Sequence, residues 1–309
     1  MARASVLDTL RVATTALLPI TPRGADKRLV HLLQRLRDKY GDDRLQLRVP
    51  GRSFSLVLSR EDVHRVLSDA VSCTPANVEK EISPEVGPLD WDGFATMWWR
   101  LVRRIVLGDS AADDSRITAR LKSLRENAKW SYFHRKHAEH REIFLRDIRS
   151  YVDRAEPGSL AERIAQLPKS ADVRPESQVA HWLFAFDAAG MATFRTLALL
   201  ASHPSIPRDQ DHLRASVLES LRLWPTTPLV LRDSTVDGST LLIPAPFCPE
   251  RDLVLFVAAK ALSTLFLEHD FLLTSHPQLA NHKPLPEVLN PLGLRFAVTA
   301  RTVDEVPVG

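Results

Sequence analysis

Leucines recur at helical spacing through residues 26–40, DKRLVHLLQRLRDKY, after which LQLRVP and SFSLVLS alternate apolar and polar positions as paired strands do. Pro50 and Gly51 supply the turn between them, and Ser59 is placed to cap a further helix over REDVHRVLSDA. From there the pattern becomes mostly helical. Residues 91–107 predict an amphipathic or buried helix ended by Gly108, and further helical patterns cover 116–130 and 131–154. After linkers near 155–176, the nearly uncharged run 179–202, VAHWLFAFDAAGMATFRTLALLAS, predicts a helix through the middle of a helical domain. A helix over 210–224 closes at Pro225. PLVLRDSTVDGSTLLIP then reads as short strands around Asp237 and Gly238, and CPERDLVLFVAAKALSTLFLEHDFLL reads as one more apolar helix. The expected class is mainly α with a minor β-sheet (α+β).

Composition narrows the setting. In 309 residues, 44% are hydrophobic and 26% charged, enough for a substantial buried core and against disorder. The net charge of +3 is spread along the chain, which argues against a nucleic-acid binder. The dense basic run 134–141 holds His134, His137 and His140 along one side of an expected helix. A metal could be held there, but with no second ligand set in the sequence the run reads as a solvated face. The start of the chain, interrupted by Arg3, Asp8 and Arg11, is too short an apolar run to span a bilayer, so a cytoplasmic protein without a membrane anchor is expected. Cys73 and Cys248 lie outside any CxxC pattern, which suggests neither a disulfide framework nor a zinc ribbon.

Three short patterns carry candidate chemistry. In Ala189-Gly190-Met191-Ala192-Thr193, the glycine leaves room against the helix backbone, and Thr193 is spaced to hydrogen-bond the carbonyl of Ala189 one turn earlier. Glu219 and Arg222 share one face of the next helix, a spacing common in surface ion pairs. Cys248 stands directly before Pro249 where a helix is expected to begin, so its sulfur would lie beside unpaired amides that favour a thiolate. Read singly, each also fits a bland role: a tolerated glycine, a satisfied core threonine, an ordinary ion pair, a packing cysteine.

In this order the segments FAFDAAGMATFRTLALLASHP, LRASVLESLRLWPTTPLVLRDS and CPERDLVLFVAAKAL resemble the oxygen-binding helix, the Glu-x-x-Arg helix and the cysteine-ligand helix of bacterial cytochromes P450. The resemblance runs from about Lys27 onward and implies a single haem-binding domain, with a helix and small sheet over 26–75 and a helical core over 91–309. It implies haem b (iron protoporphyrin IX) ligated by Cys248, with Arg232 answering a propionate. Thr193 would assist proton delivery during oxygen activation, and Gly190 would line the oxygen groove. Glu219 and Arg222 would brace the core. Phe184, Ala185 and Ala189, with Leu229 and Val230, would face an apolar small-molecule substrate. The implied activity is that of a haem-thiolate monooxygenase using dioxygen and a ferredoxin-type electron donor.

The sequence departs from the family pattern around Cys248. Leu241, Pro244 and Pro246 stand where the family has phenylalanine, glycine and a basic residue, and Glu250 replaces a glycine. Only 25 residues separate Arg222 from Cys248, so much of an irregular stretch is missing, and a second stretch is missing after 75–81. The run 247–252, FCPERD, also resembles the family's Phe-x-Pro-Glu-Arg stretch, an alignment in which Cys248 would be incidental. Trp99 and Arg103 reproduce a Trp-x-x-x-Arg spacing in surroundings that resemble a later helix, so no propionate role is carried to them. The alternative to an enzyme is a degenerate scaffold of the same fold that binds haem poorly or not at all.

Overall fold

The computed structural model describes residues 2–3, 5, 8, 27–40, 45–49, 52–56, 78–129, 138–166, 175–226, 229–233, 240–244, 251–279 and 283–301. Cys248 and the expected helix after Ser59 lie outside them.

Helices dominate, with two small sheets. Strand β1 (Ala2–Arg3), helix α1 (Lys27–Tyr40) and the antiparallel pair β2 (Leu45–Val49) and β3 (Arg52–Leu56) come first. Strands β5 (Leu229–Asp233) and β6 (Thr240–Pro244) join them, giving a mixed sheet ordered β1-β2-β3-β6-β5. The short helix α2 (Val78–Glu81) and strand β4 (Gly87–Asp90) lead directly into α3 (Trp91–Leu107). Helices α4 (Ser115–Lys129), α5 (Ala138–Arg154), α6 (Leu160–Ala165), α7 (Pro175–Ser202), α8 (Gln210–Leu223) and α9 (Arg251–Glu268) follow, and β7 (His269–Leu273) and β8 (Arg295–Ala300) complete an antiparallel sheet ordered β4-β8-β7.

Local chemistry explains the boundaries. Asp90 caps α3 by accepting from the Gly93 amide at 3.0 Å, and α3 ends at Gly108, whose φ of +112° suits glycine and whose amide returns to the Arg103 and Arg104 carbonyls. Asp209 caps α8 in the same way through the His212 amide. Pro175 opens α7 at the position where a missing N–H costs nothing, so this helix starts four residues before the apolar run that predicted it.

The expected helix over 248–273 is corrected at its end. His269–Leu273 form β7, opposite Phe296 to Ala300 of β8. His269 and Phe271 are buried while Asp270 and Leu272 are exposed, a period of two that marks a strand inside what reads as a continuous apolar run.

The 28-residue α7 is the axis of the molecule, with α3, α5, α8 and α9 packed around it. Phe194 on α7 stacks on Phe94 of α3 at 4.8 Å and meets Trp91 and Phe296 edge-on at 5.8 and 5.2 Å, so one aromatic cluster ties α3, α7 and β8 together. Among the described residues, the segment Ser177–Ser202 is long and apolar enough to cross a membrane by length and composition, and most of it is buried inside the protein.

At the periphery, the Asp114 carboxylate accepts from Arg116 Nε at 2.9 Å and from the Tyr151 hydroxyl at 2.7 Å, which fastens α5 to the start of α4. The Arg116 guanidinium, and then the Tyr151 hydroxyl, hold the Asp114 carboxyl down at about 2. An acid with a lowered folded pKa binds fewer protons folded than unfolded, so its stabilisation is present above about pH 4 and lost as pH falls toward about 2. Tyr151→Phe is expected to cost about 1 kcal/mol at pH 7. In urea melts the gap from the wild type should narrow from pH 4 downward, because the carboxylate that used the hydroxyl is by then becoming protonated.

Candidate functional site

The middle of α7 carries more hydrogen bonds than a helix needs. Thr193 Oγ1 donates to the Ala189 carbonyl at 2.8 Å, and Thr196 Oγ1 donates to Ala192 at 2.8 Å. Two further donors come from neighbouring helices. Trp98 Nε1 on α3 donates to the Phe186 carbonyl at 2.9 Å, and Ser220 Oγ on α8 reaches the Ala192 carbonyl at 3.3 Å. The carbonyls of residues 186, 189 and 192 thus each take a side-chain donor, and the turn between them is held from both sides.

Gly190 is the point of closest approach. A methyl built there would lie 2.6 Å from Trp98 Nε1 and 2.8 Å from its Cδ1. The space expected beside this glycine for an oxygen groove is therefore filled by an indole. Thr193 has no exposed surface, and Ala185 and Ala189 are buried with it.

Phe184 does not belong with Thr193. Nine residues at about 3.6 per turn make about two and a half turns, which places the two on opposite sides of α7. Phe184 is 40% exposed, with the Arg125 guanidinium 6.0 Å above its ring, whereas Thr193 is enclosed. Arg125 also pairs with Asp187, joining α4 to α7. Phe184, expected to face a substrate together with Ala185 and Ala189, is thus exposed where those two are buried. Ala185, Ala188, Ala189 and Ala192 instead make one row at helical spacing, with Thr193 at its border and no side chain longer than a methyl.

Glu219 and Arg222 form a two-pronged ion pair at 2.7 and 2.6 Å, with side chains 49% and 69% exposed. Arg232, Leu229 and Val230 lie on β5, where Arg232 stands opposite Leu241 and Val230 opposite Ile243 of β6. Arg103 turns inward, its guanidinium donating to the Ala112 carbonyl and to Thr118 Oγ1, so it locks the end of α3 onto the following loop. His140 is exposed on α5, and the described residues contain no group of three or more His, Cys, Asp or Glu side chains that could hold a metal.

Trp98 and Ser220 are the site residues that sequence reasoning missed. Trp98 is one apolar position among many in α3, and its acceptor lies 88 residues away. Ser220 sits unnoticed between the two charges of the Glu219–Arg222 pattern.

Comparison with protein-family models gives no match, and comparison with curated proteins gives none either. Solved structures do match. CYP175A1 from a Thermus thermophillus strain aligns over 96% of this chain and 100% of its own, with a TM-score of 0.61 at 16% identity. The cyanobacterial CYP120A1, solved with retinoic acid bound, aligns over 95% and 96% with a TM-score of 0.58 at 9% identity. The cytochrome P450DA haem domain aligns over 90% and 94% with a TM-score of 0.56 at 13% identity. At such identities the likeness is one of architecture, and it agrees with the helical core and small sheets described above: the chain has the cytochrome P450 fold.

Proposed function

We propose that the protein is a haem-thiolate monooxygenase acting on an apolar small molecule, with dioxygen and electrons from a ferredoxin-type partner. The observation that carries the reading is the middle turn of α7, where a methyl-only face borders a buried threonine hydroxyl inside this fold. Haem would lie along that side of α7, beside Ala185, Ala188, Ala189 and Ala192, none of which projects beyond a methyl. Cys248 would supply a thiolate to the haem iron and Arg232 a charge-assisted hydrogen bond to a propionate. Haem held by a thiolate supplies the oxygen-activating chemistry.

The protein's own contribution is shape and one mobile proton. Ala185 and Ala189 on α7, with Leu229 and Val230 of β5, would give a substrate apolar contact, and the buried surroundings of α7 would keep water from it. The Thr193 hydroxyl holds its proton on the Ala189 carbonyl. In a helix that carbonyl also receives the backbone amide of Thr193. The hydroxyl can therefore turn away without leaving an unsatisfied acceptor, and threonine has two accessible helical rotamers for doing so.

A second reading, a retired scaffold, draws on Glu250 and on the short stretch between Arg222 and Cys248. One measurement separates the two. Protein expressed with haem precursor, reduced and exposed to carbon monoxide, is expected to give a thiolate-type carbonyl band, which Cys248→Ala abolishes. A folded wild type without haem sinks the monooxygenase reading. Thr193→Val should melt within about 0.5 kcal/mol of the wild type, because the hydroxyl bonds only back to its own helix. Substrate turnover by the same variant is expected to fall on the order of a hundredfold, the usual scale for a lost proton donor.

A further inference from the structure

The indole of Trp98 is held more firmly than packing alone requires. It stacks on Phe94 at 5.9 Å, lies against Phe186 at 6.2 Å and is 1% exposed, so its ring plane is fixed by neighbours on two helices. Its N–H then reaches the Phe186 carbonyl at 2.9 Å. In a regular helix that carbonyl is the acceptor for the Gly190 amide. A second donor on a helical carbonyl shifts the local hydrogen bonding and the helix path with it.

Gly190 and Trp98 are matched. The indole can come this close only because position 190 has no side chain, and any Cβ there would overlap it. Six residues beyond Phe186, Ser220 of α8 acts on the Ala192 carbonyl from another direction. Between these two contacts lies Ala189, a member of the methyl face, and directly after the second comes Thr193 at its border.

We infer that Trp98 is a positioning residue for the Ala189–Thr193 turn, its indole N–H setting where that turn stands in the site, with Gly190 as the counterpart that admits the ring. The inference rests on the proposed haem-binding function, because it concerns what the turn presents to a bound group.

The test uses the full chain expressed with haem precursor: wild type, Trp98→Phe, Gly190→Ala, and the double variant Trp98→Leu with Gly190→Ala. Haem occupancy, thermal melting and imidazole affinity from the absorption spectrum are read for each. Trp98→Phe keeps a ring but loses the N–H, and should retain haem while its imidazole Kd shifts about fivefold, the scale of one hydrogen bond. Gly190→Ala should lower both the melting temperature and haem occupancy, and the double variant should recover both because leucine vacates the space the methyl needs. If Trp98→Phe melts lower with an unchanged spectrum and unchanged imidazole affinity, the indole only packs and the inference fails. A Gly190→Ala protein identical to the wild type overturns it as well. A wild-type chain that takes up no haem overturns the proposed function and this inference together, whereas the other two outcomes overturn the inference alone.

Discussion

A helix of 28 residues largely enclosed by other helices must bond most of its buried polar groups to its own backbone or its neighbours', and much of the architecture around α7 follows from that constraint. Thr193, Thr196 and Ser202 each bond a carbonyl four residues back. Arg195, with no exposed surface, donates to the Leu289 carbonyl at 2.7 Å and to the Trp224 carbonyl at 3.1 Å. Burial, and then the like charge of Arg125, push its pKa down to about 10. The guanidinium thereby fastens three separate parts of the chain: α7, the end of α8 and the approach to β8. At the C-terminal end, Arg208 bonds the Leu200 and Ile206 carbonyls and stacks over Phe266 of α9 at 4.7 Å, which closes the helix against its neighbour.

The same economy explains how a short chain keeps the fold. Between α2 and α3 the chain makes only a strand, where the resemblance would place additional helix. The Glu81 carboxylate, 6% exposed, spans Arg100 Nε at 2.9 Å and Arg104 Nη2 at 2.7 Å, so the short crossover is fixed to α3 by two ion pairs on one acid. Leu89 and Trp91 then turn into the core on either side of the Asp90 cap. β4 pairs with β8 instead of forming a hairpin with its neighbour in sequence, which brings the far end of the chain against the start of α3.

The helical plan was legible because apolar residues returning every three to four positions over ten or more residues reach a common face only when the segment is helical. Helices α1, α3, α4, α7 and α8 stand within a few residues of where that period places them, and β5 and β6 pair as their turn chemistry suggests. Two features were not legible. β4 is four residues long and includes a glycine and a proline, too little pattern for any period to register. The end of α9 was hidden because buried helix and buried strand have the same composition, and only the partner strand β8 decides between them. The site divides along the same line. The back-bond of Thr193 is local and follows from spacing, whereas the partner of Gly190 comes from a helix far away in sequence, and no local pattern contains it.

That division bears on which part of the Ala189–Thr193 pattern is chemical. Gly190 is accounted for by Trp98, since no other residue could let the indole so near. Thr196 shares the Ala192 carbonyl with Ser220 and so belongs to the contact between α7 and α8. Ala185, Ala189 and Ala192 keep one face of the helix low. Thr193 is the member of the pattern that packing explains least. A valine has nearly its shape and a better transfer energy into a dry core, and a hydroxyl bonded back to its own helix slightly weakens that helix. A buried hydroxyl that the fold would be as stable without, placed at the edge of a row of alanines, is what the proposed function would draw on.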